Sequence, residues 1–225
     1  MTDDNQADAG RRIEAVAAVR RLDGLGLNRG STGNLSVRAG NGDGCWITPT
    51  GMAAEDIGSD DLVWLAADGT VRQGRWAPSS EWPFHLAIYR TRGDLNAVVH
   101  MHSPHATALA CLRRELPAFH YMVAVAGGDS VPCTPYHLFG TAALSAAVAD
   151  AFKDRQACLM ANHGLVAGGA TLAQAMKVAL EVEALCGIYL QALAVGEPAL
   201  LSAAQMAEVL ERFKSYGQVR RSGSD

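Results

Sequence analysis

Hydrophobic positions along the chain follow two different periods. Apolar residues that recur every three or four positions are typical of helices with one buried face, and short apolar runs are typical of strands. The pattern predicts helices near residues 10–25, 79–92, from 103 onward, 141–153, 171–194 and 202–215. Strands are predicted at 34–38, 44–48, 61–65, 97–102 and 157–161. Strands come mostly early and helices mostly late, which favours an α/β fold of three layers, α/β/α, with a mixed or mostly antiparallel central sheet.

The sequence indicates one domain. At roughly 150 residues per domain, its 225 residues fit one large or two small domains. We find no internal repeat and no linker rich in proline, glycine or serine. The sequence predicts a single domain over 11–217, with polar and mobile tails at 1–10 and 218–225.

Composition narrows the function classes. Hydrophobic residues make up 49% and charged residues 19%, as in a soluble globular protein. The net charge of −4 lacks the basic footprint of a nucleic-acid binder. No apolar run reaches the roughly 18 residues of a membrane span, and the start has no secretory signal pattern. Five widely spaced cysteines favour reduced thiols. We expect a cytoplasmic protein that binds neither nucleic acid nor membranes.

Histidines suggest a metal site. His100 and His102 lie two positions apart at the end of a predicted strand, so their side chains project from one face. Such a pair can bind one metal ion, and a third imidazole at His163 would complete the ligands of a catalytic zinc site. Glu81, at a predicted helix start, could be a fourth ligand or a general base. The sequence alone does not place His163 beside the pair, and His85 is expected simply on a helix face.

Three segments could bind an anion. Residues 30–34 and 48–51 combine glycine with hydroxyl side chains, and Ser79 and Ser80 offer hydroxyls at a helix N-terminus, where the dipole favours negative charge. Each segment alone is typical of an ordinary turn. The chain has no Gly-x-Gly-x-x-Gly motif and no phosphate loop ending in Gly-Lys-Ser/Thr, so nucleotide enzymes are not favoured.

Taken in order, these segments resemble the class II aldolase/adducin family, and within it most closely the L-fuculose-phosphate aldolases. The likeness runs from about residue 11 to 217. The matching motifs are GLNRGSTGNLSVR (26–38), ITPTGM (47–52), PSSEWPFH (78–85), AVVHMHSPH (97–105), HYMVAVAGG (120–128), NHGL (162–165) and FKSYG (213–217).

The resemblance implies a metal-dependent enzyme. Zinc would be bound by His100, His102 and His163, with Glu81 as both a resting-state ligand and the catalytic acid/base. Such a ligand set could also take Mn²⁺, Co²⁺ or Fe²⁺. The implied reaction is the reversible cleavage of a ketose 1-phosphate, such as L-fuculose 1-phosphate, to dihydroxyacetone phosphate and a short aldehyde such as L-lactaldehyde.

The resemblance also implies the rest of the site. Tyr121 of a neighbouring subunit would donate a proton to the aldehyde oxygen, Phe139 would line the site, and Tyr216 would help to close it. The protein would be a homotetramer with active sites at its subunit interfaces. The substrate phosphate would be bound by Ser31, Gly33, Asn34, Thr50, Gly51, Ser79 and Ser80.

Other activities remain open on the same motifs. Salvage aldolases that act on 5-(methylthio)ribulose 1-phosphate or 5-deoxyribulose 1-phosphate keep nearly the same residues. Sugar-phosphate epimerases and decarboxylases share the family, but the epimerases carry aspartate where this chain has Glu81. A non-catalytic, adducin-like binding module is disfavoured because all three histidines and the glutamate are present.

Overall fold

A single sheet of eight strands forms the centre of the molecule. The computed structural model describes residues 3–214. The strands are β1 (Asn34–Arg38), β2 (Cys45–Ile47), β3 (Val63–Leu65), β4 (Val71–Gln73), β5 (Ala97–Met101), β6 (Cys133–Thr134), β7 (Ala157–Met160) and β8 (Gly164–Gly169). Their order across the sheet is β4-β3-β2-β1-β5-β8-β7-β6. Neighbouring strands are antiparallel except for β6 and β7, which are parallel.

Helices cover both faces of this sheet. Phe84, Ile88 and Val148 belong to a core on one face, whereas Leu109 and Val182 belong to a larger core on the other. The helices are α1 (Asp3–Gly24), α2 (Trp82–Thr91), α3 (Pro104–Cys111), α4 (Ala142–Ala151), α5 (Leu172–Val195) and α6 (Ala203–Lys214). The first core contains α2 and α4, and the second contains α1, α3 and α5. The predicted three-layer α/β/α fold with a mostly antiparallel sheet is confirmed.

Strand β5 lies at the middle of the sheet and carries His100, the first histidine of the predicted pair, and His102 follows directly after its last residue. All of its residues are buried. Val99 and Met101 point into the larger core, and Val98 points into the smaller one. His100 therefore lies on the face covered by α2 and α4, since side chains alternate along a strand.

Three strands were not predicted. Residues 164–169 are half glycine by composition, which weakens the strand signal, yet they form β8 between β5 and β7, with Leu165 opposite Met101. Close packing explains the glycines: a Cβ on Gly168 would lie 2.9 Å from Leu95 and one on Gly169 would crowd the start of α5. Strands β4 and β6 are too short to give a period.

Helix α1 begins at Asp3 rather than near residue 10. Residues 3–10, predicted as part of a polar tail, are therefore helical, and the Asp8 carboxylate accepts a hydrogen bond from the Gly40 amide at 2.8 Å. The predicted tail at 218–225 lies outside the described residues.

Helix α5 is long and apolar enough, by length and composition, to cross a bilayer. Its apolar side nevertheless packs on the sheet, where Ala179, Val182 and Cys186 are buried in the larger core. We therefore interpret α5 as the central core helix of this domain.

Candidate active site

Four predicted ligands converge at one point beside the centre of the sheet. The His100 and His102 Nε2 atoms are 3.0 Å apart. Glu81 Oε2 lies 3.1 Å from His100 Nε2, and Glu81 Oε1 lies 3.2 Å from His163 Nε2. One potential ligand atom from each of the four residues lies within 4.8 Å of the others. The structure thus brings His163 to the pair, which the sequence alone left open.

Backbone geometry orients His100 and His163 toward the site. The His100 Nδ1–H group donates to the Leu165 carbonyl at 2.9 Å, which leaves Nε2 free to face the site. Asn162 has φ +55°, so the chain turns sharply between β7 and β8 and delivers His163. Gly164 is required next to it, because a Cβ there would lie 2.6 Å from the Met101 carbonyl oxygen and 3.2 Å from His102.

The electrostatics of this cluster suit a cation. Burial alone would raise the pKa of Glu81, but His100, His163 and the Asn34 amide together hold it well below its usual range. Burial and neighbouring imidazoles lower the pKa of His102 to about 3 and that of His163 to about 4. An ionised carboxylate beside neutral imidazoles is the form in which these groups bind metals.

One buried atom in the cluster has no partner of its own. Glu81 Oε1 is buried and makes no hydrogen bond within the described part of the chain, although it faces His163 Nε2. A buried carboxylate oxygen without a hydrogen bond is costly unless a cation neutralises it. Three imidazole nitrogens and a carboxylate oxygen are a donor set typical of zinc, so the residues present fit a divalent metal ion.

A cavity of about 360 Å³ opens above this cluster. Its wall contains every residue predicted to bind phosphate, together with Phe139. No lysine or arginine lines it among the residues that the structure describes. An anion would therefore be bound by backbone amides, hydroxyls and the metal rather than by basic side chains. The lining residues are Ser31, Thr32, Gly33, Asn34, Pro49, Thr50, Gly51, Ser79, Ser80, Glu81, His102, Tyr136, His137, Phe139, Asn162 and His163.

The three segments predicted to bind an anion meet through backbone contacts, including a hydrogen bond from the Thr48 amide to the Leu35 carbonyl at 3.0 Å. The Ser79 amide donates to the Thr48 carbonyl at 3.0 Å, and Pro49 bridges to Pro78. Gly33 has φ +72°, and a Cβ there would collide with the Asn28 side chain. Segments that are far apart in sequence thus form one continuous wall.

Comparison with known proteins decides the family. The family model for the class II aldolase and adducin N-terminal domain matches residues 13–190. The chain belongs to the class II aldolase/adducin family. It is 50% identical over 202 residues to the 5-methylthioribulose-1-phosphate/5-deoxyribulose-1-phosphate aldolase of Rhodospirillum rubrum, with 90% of each chain covered. It is also 50% identical over 194 residues to an L-fuculose phosphate aldolase of Escherichia coli. This match covers 86% of this chain and 89% of the Escherichia coli protein.

A solved structure supports the same assignment. An L-fuculose 1-phosphate aldolase superposes with a TM-score of 0.87 at 40% identity, over 90% of this chain and 95% of that chain. The protein is therefore a metal-dependent class II aldolase, as the sequence predicted.

The aromatic residues predicted to belong to the site lie in different places. Phe139 lines the site cavity and is 58% exposed. Tyr121 is half exposed in a short 3₁₀ helix, Tyr121–Ala126, and lines a separate groove against α6 rather than its own chain's cavity. Tyr216 lies outside the described residues. Tyr136 and His137 also line the cavity, and no motif or periodicity in the sequence singled them out.

His85 lies on a face of α2, as expected, but sequence reasoning did not reveal its contacts. This face of the helix is fully buried at His85, and the ring is hydrogen-bonded at both nitrogens to residues of β1. A possible signal was its position four residues after Glu81, one helical turn from the cluster.

Proposed function

We propose that this class II aldolase reversibly cleaves a ketose 1-phosphate to dihydroxyacetone phosphate and a short aldehyde. The observation that carries the proposal is the meeting of an ionised carboxylate and three imidazoles at the base of a cavity whose other wall offers only neutral anion donors. The first group suits a metal that binds substrate oxygens, and the second suits a phosphate.

The metal proposed is zinc, held by His100, His102, His163 and, before substrate binds, Glu81. Bound there, it would supply Lewis-acid stabilisation of the negative charge that carbon–carbon cleavage leaves on the ketose fragment. The chain's own part is to keep the His102 and His163 imidazoles neutral by burial and to orient His100 through the Leu165 carbonyl. Mn²⁺, Co²⁺ or Fe²⁺ could be held by the same donors.

The phosphate is proposed to lie against the wall formed by residues 30–34, 48–51 and 79–80. Gly33 and Gly51, both with positive φ, let backbone amides turn toward the cavity. Ser79 and Ser80 precede the N-terminus of α2, where the helix dipole favours an anion. Binding remote from the reacting bond aligns that bond with the acid/base group.

Glu81 is proposed to move the proton at carbon. In the synthetic direction the ionised Glu81 carboxylate takes a proton from C3 of dihydroxyacetone phosphate, and the electron pair left at C3 forms the bond to the aldehyde carbon. The Tyr121 hydroxyl of a neighbouring subunit gives its proton to the aldehyde oxygen, which becomes the C4 hydroxyl. Proton exchange with solvent then restores the Glu81 carboxylate and the Tyr121 hydroxyl, and cleavage runs through the same steps in reverse.

A homotetramer is proposed because Tyr121 does not line the cavity of its own chain and would have to reach the site of a neighbouring subunit. Tyr121, Leu138 and Phe139 are exposed apolar side chains that a neighbouring subunit would cover. Residues of the segment around Tyr216 are proposed to help close the site. We propose that the assembly is soluble and cytoplasmic.

Two types of substrate are proposed, with L-fuculose 1-phosphate first. It would yield L-lactaldehyde and is named in relatives up to 50% identical. The second candidate is 5-(methylthio)ribulose 1-phosphate or 5-deoxyribulose 1-phosphate, which is favoured by the 50% identical Rhodospirillum rubrum relative and by a 42% identical 5-deoxy-D-ribulose 1-phosphate aldolase of Bacillus thuringiensis.

A coupled assay for dihydroxyacetone phosphate release tests the proposal. The purified protein is assayed with the three ketose 1-phosphates before chelation, after chelation and after zinc is restored. We expect cleavage of at least one substrate, loss on chelation and recovery with zinc. Equal rates before and after chelation would overturn the metal assignment, and no release from any of the three would overturn the substrate class.

A further inference from the structure

A line of buried polar side chains runs from Glu81 into the interior of the domain. The Asn34 Nδ2 group donates to Glu81 Oε2 at 2.9 Å. Asn34 Oδ1 lies 2.6 Å from His85 Nε2, and His85 Nδ1 lies 2.7 Å from Ser36 Oγ. Ser36 Oγ lies 2.9 Å from the Tyr89 hydroxyl. We call Asn34, His85, Ser36 and Tyr89 the polar chain.

The spacing of these four residues matches the periods of a strand and a helix. Asn34 and Ser36 lie two residues apart on β1 and so share a face of the sheet. His85 and Tyr89 lie four residues apart on α2 and so share a face of that helix. All four residues are buried, and Ser36 and His85 have no exposed surface at all. Solvent therefore does not reach the His85 ring, and the protein itself supplies the hydrogen-bond partners of both ring nitrogens.

The ionised Glu81 carboxylate determines which atom donates and which accepts in each hydrogen bond of the polar chain. The Glu81 carboxylate is ionised and can only accept, so the Asn34 atom facing it must be the NH₂ group. Asn34 Oδ1 then faces His85 and must accept from a protonated Nε2. The other ring nitrogen, Nδ1, is left as an acceptor for the Ser36 hydroxyl, and Tyr89 is left to donate to Ser36. One tautomer of neutral His85 satisfies the whole line.

The geometry points to His85 as a positioning residue for the acid/base group. By holding Asn34 Oδ1, the His85 ring turns the Asn34 NH₂ group toward Glu81 and keeps the carboxylate facing both His100 and His163. Asn34 was expected only to bind phosphate, but its side-chain amide is engaged in this contact. The catalytic part of the test rests on the proposed function, whereas the metal-binding part does not.

A role in filling space alone would not require an imidazole. A phenylalanine side chain would occupy a similar volume without the cost of desolvating two ring nitrogens. His85 instead supplies a donor at one end of its ring and an acceptor at the other, where Asn34 and Ser36 need them. It also stacks on Phe84, with ring centroids 4.6 Å apart, which limits its rotation.

The first test compares His85→Phe with Thr134→Val. Thr134 is a matched control because it is buried on β6, at the far edge of the sheet, and its hydroxyl has no hydrogen-bond partner within the described residues. Zinc affinity is measured on metal-stripped protein by competition with a chelating dye, and kcat and KM are measured by dihydroxyacetone phosphate release. We expect His85→Phe to lose about 10- to 100-fold in zinc affinity or kcat with KM little changed, and Thr134→Val to match the wild type.

A double-mutant cycle separates positioning from general loss of structure. If His85 acts through Asn34, the double variant Asn34→Ala/His85→Phe should lose no more kcat and zinc affinity than Asn34→Ala alone. Losses that multiply would overturn the proposal, and so would wild-type zinc affinity and kcat in His85→Phe.

Ser36→Ala keeps the proposal falsifiable if His85→Phe does not fold. This variant removes the donor to His85 Nδ1 and leaves the ring free to change tautomer, so a smaller loss in the same direction is expected. Unchanged kcat and zinc affinity in Ser36→Ala would then count against the role. If the wild type cleaves none of the ketose phosphates, the substrate proposal fails, while the zinc measurements still decide the role of His85.

Discussion

The base and the rim of the site cavity are built in opposite ways. The base, formed by Glu81, His100, His102 and His163, lies against the central strands, and His100 has no exposed surface. The rim, formed by Tyr136, His137 and Phe139, lies on a loop between β6 and α4, and Phe139 is more than half exposed. Glu81 and His100 have hydrogen-bond partners outside the cluster that fix their directions, whereas Tyr136 and Phe139 on the rim are more than half exposed.

If the proposed function is correct, this difference separates the residues that carry out the reaction from those that select the substrate. Rigid elements position a metal and a proton carrier within a few tenths of an ångström, which bond cleavage requires. Loops accept changes at little cost in stability. Relatives named for two different ketose phosphates share half of their residues with this chain, which is expected if the base sets the reaction and the rim sets the aldehyde.

The largest effect is expected from removing an imidazole of the base. His163→Ala should abolish cleavage and reduce bound zinc, because a vacated ligand position would be filled by water at lower affinity. Zinc content is measured by elemental analysis together with the cleavage rate. His137→Ala is the matched control on the rim, and it should retain full zinc. Equal zinc in wild type and His163→Ala would contradict the metal site.

Glu81→Gln should lower kcat by about 10²- to 10⁴-fold, since the amide cannot carry the proton while its shape is conserved. Zinc and phosphate binding should be retained. The measurement is kcat beside zinc content and the inhibition constant for inorganic phosphate. Near-normal turnover would refute the acid/base role of Glu81.

Gly33 and Gly51, which line the part of the cavity proposed to bind phosphate, offer a matched pair of substitutions. Gly33→Ala and Gly51→Ala both place a Cβ at positive φ, which costs about 1–2 kcal/mol. Only the Cβ at position 33 would collide with Asn28, whereas nothing lies within 4 Å of one at position 51. KM for the ketose phosphate should therefore rise more in Gly33→Ala. Equal KM values would show that the wall does not depend on this contact.

A smaller effect is expected at the rim. Phe139→Ala should change by several-fold the ratio of kcat/KM for L-fuculose 1-phosphate to kcat/KM for the ribulose-type ketose phosphates. The reason is that burying or exposing part of a ring is worth about 1–2 kcal/mol. The amount of bound zinc should change little. Leu138→Ala is the control, because Leu138 is equally exposed but does not line the cavity. A parallel fall for both substrates would place Phe139 in the common machinery instead.

The smallest effect concerns stability against pH. Burial lowers the pKa of His85 to about 3, compared with 6.5 for an ordinary imidazole. Between these values the unfolded chain binds more protons, so the free energy of unfolding falls as the pH drops from 6.5 toward 3. His85→Phe lacks this contribution, and its unfolding free energy should fall less steeply in urea titrations of metal-free protein. Identical slopes would contradict a buried neutral His85.

Much of the base could be predicted from short patterns. His100 and His102 share a face because a strand has a period of two, and Glu81 follows hydroxyl residues at a helix start. These are local relations that any strand or helix enforces. Phe139 and Tyr121 were reached only through resemblance to a family, and Tyr136 and His137 were not singled out at all. Loops have no period, and no local pattern marks the surface around Tyr121.

His85 shows where local reasoning ends. Its position on α2 follows from the sequence, but its burial depends on which face of α2 packs against β1, and its role depends on Asn34 being 51 residues away along the chain. A similar limit hid β8, whose glycines reflect close packing against its neighbours rather than a turn.

The sequence by itself determined the layered fold, the order of the main helices and strands, and the residue types of the candidate metal site and of the segments proposed to bind phosphate. Those features depend on interactions within a few residues, which a pattern records. Only the tertiary structure decided that His163 meets the histidine pair, that three distant segments line one cavity, and that His85 is joined to Glu81 through Asn34. Each of these depends on how strands β1, β5 and β8 align, and alignment is set by the packing of the whole sheet between its helices.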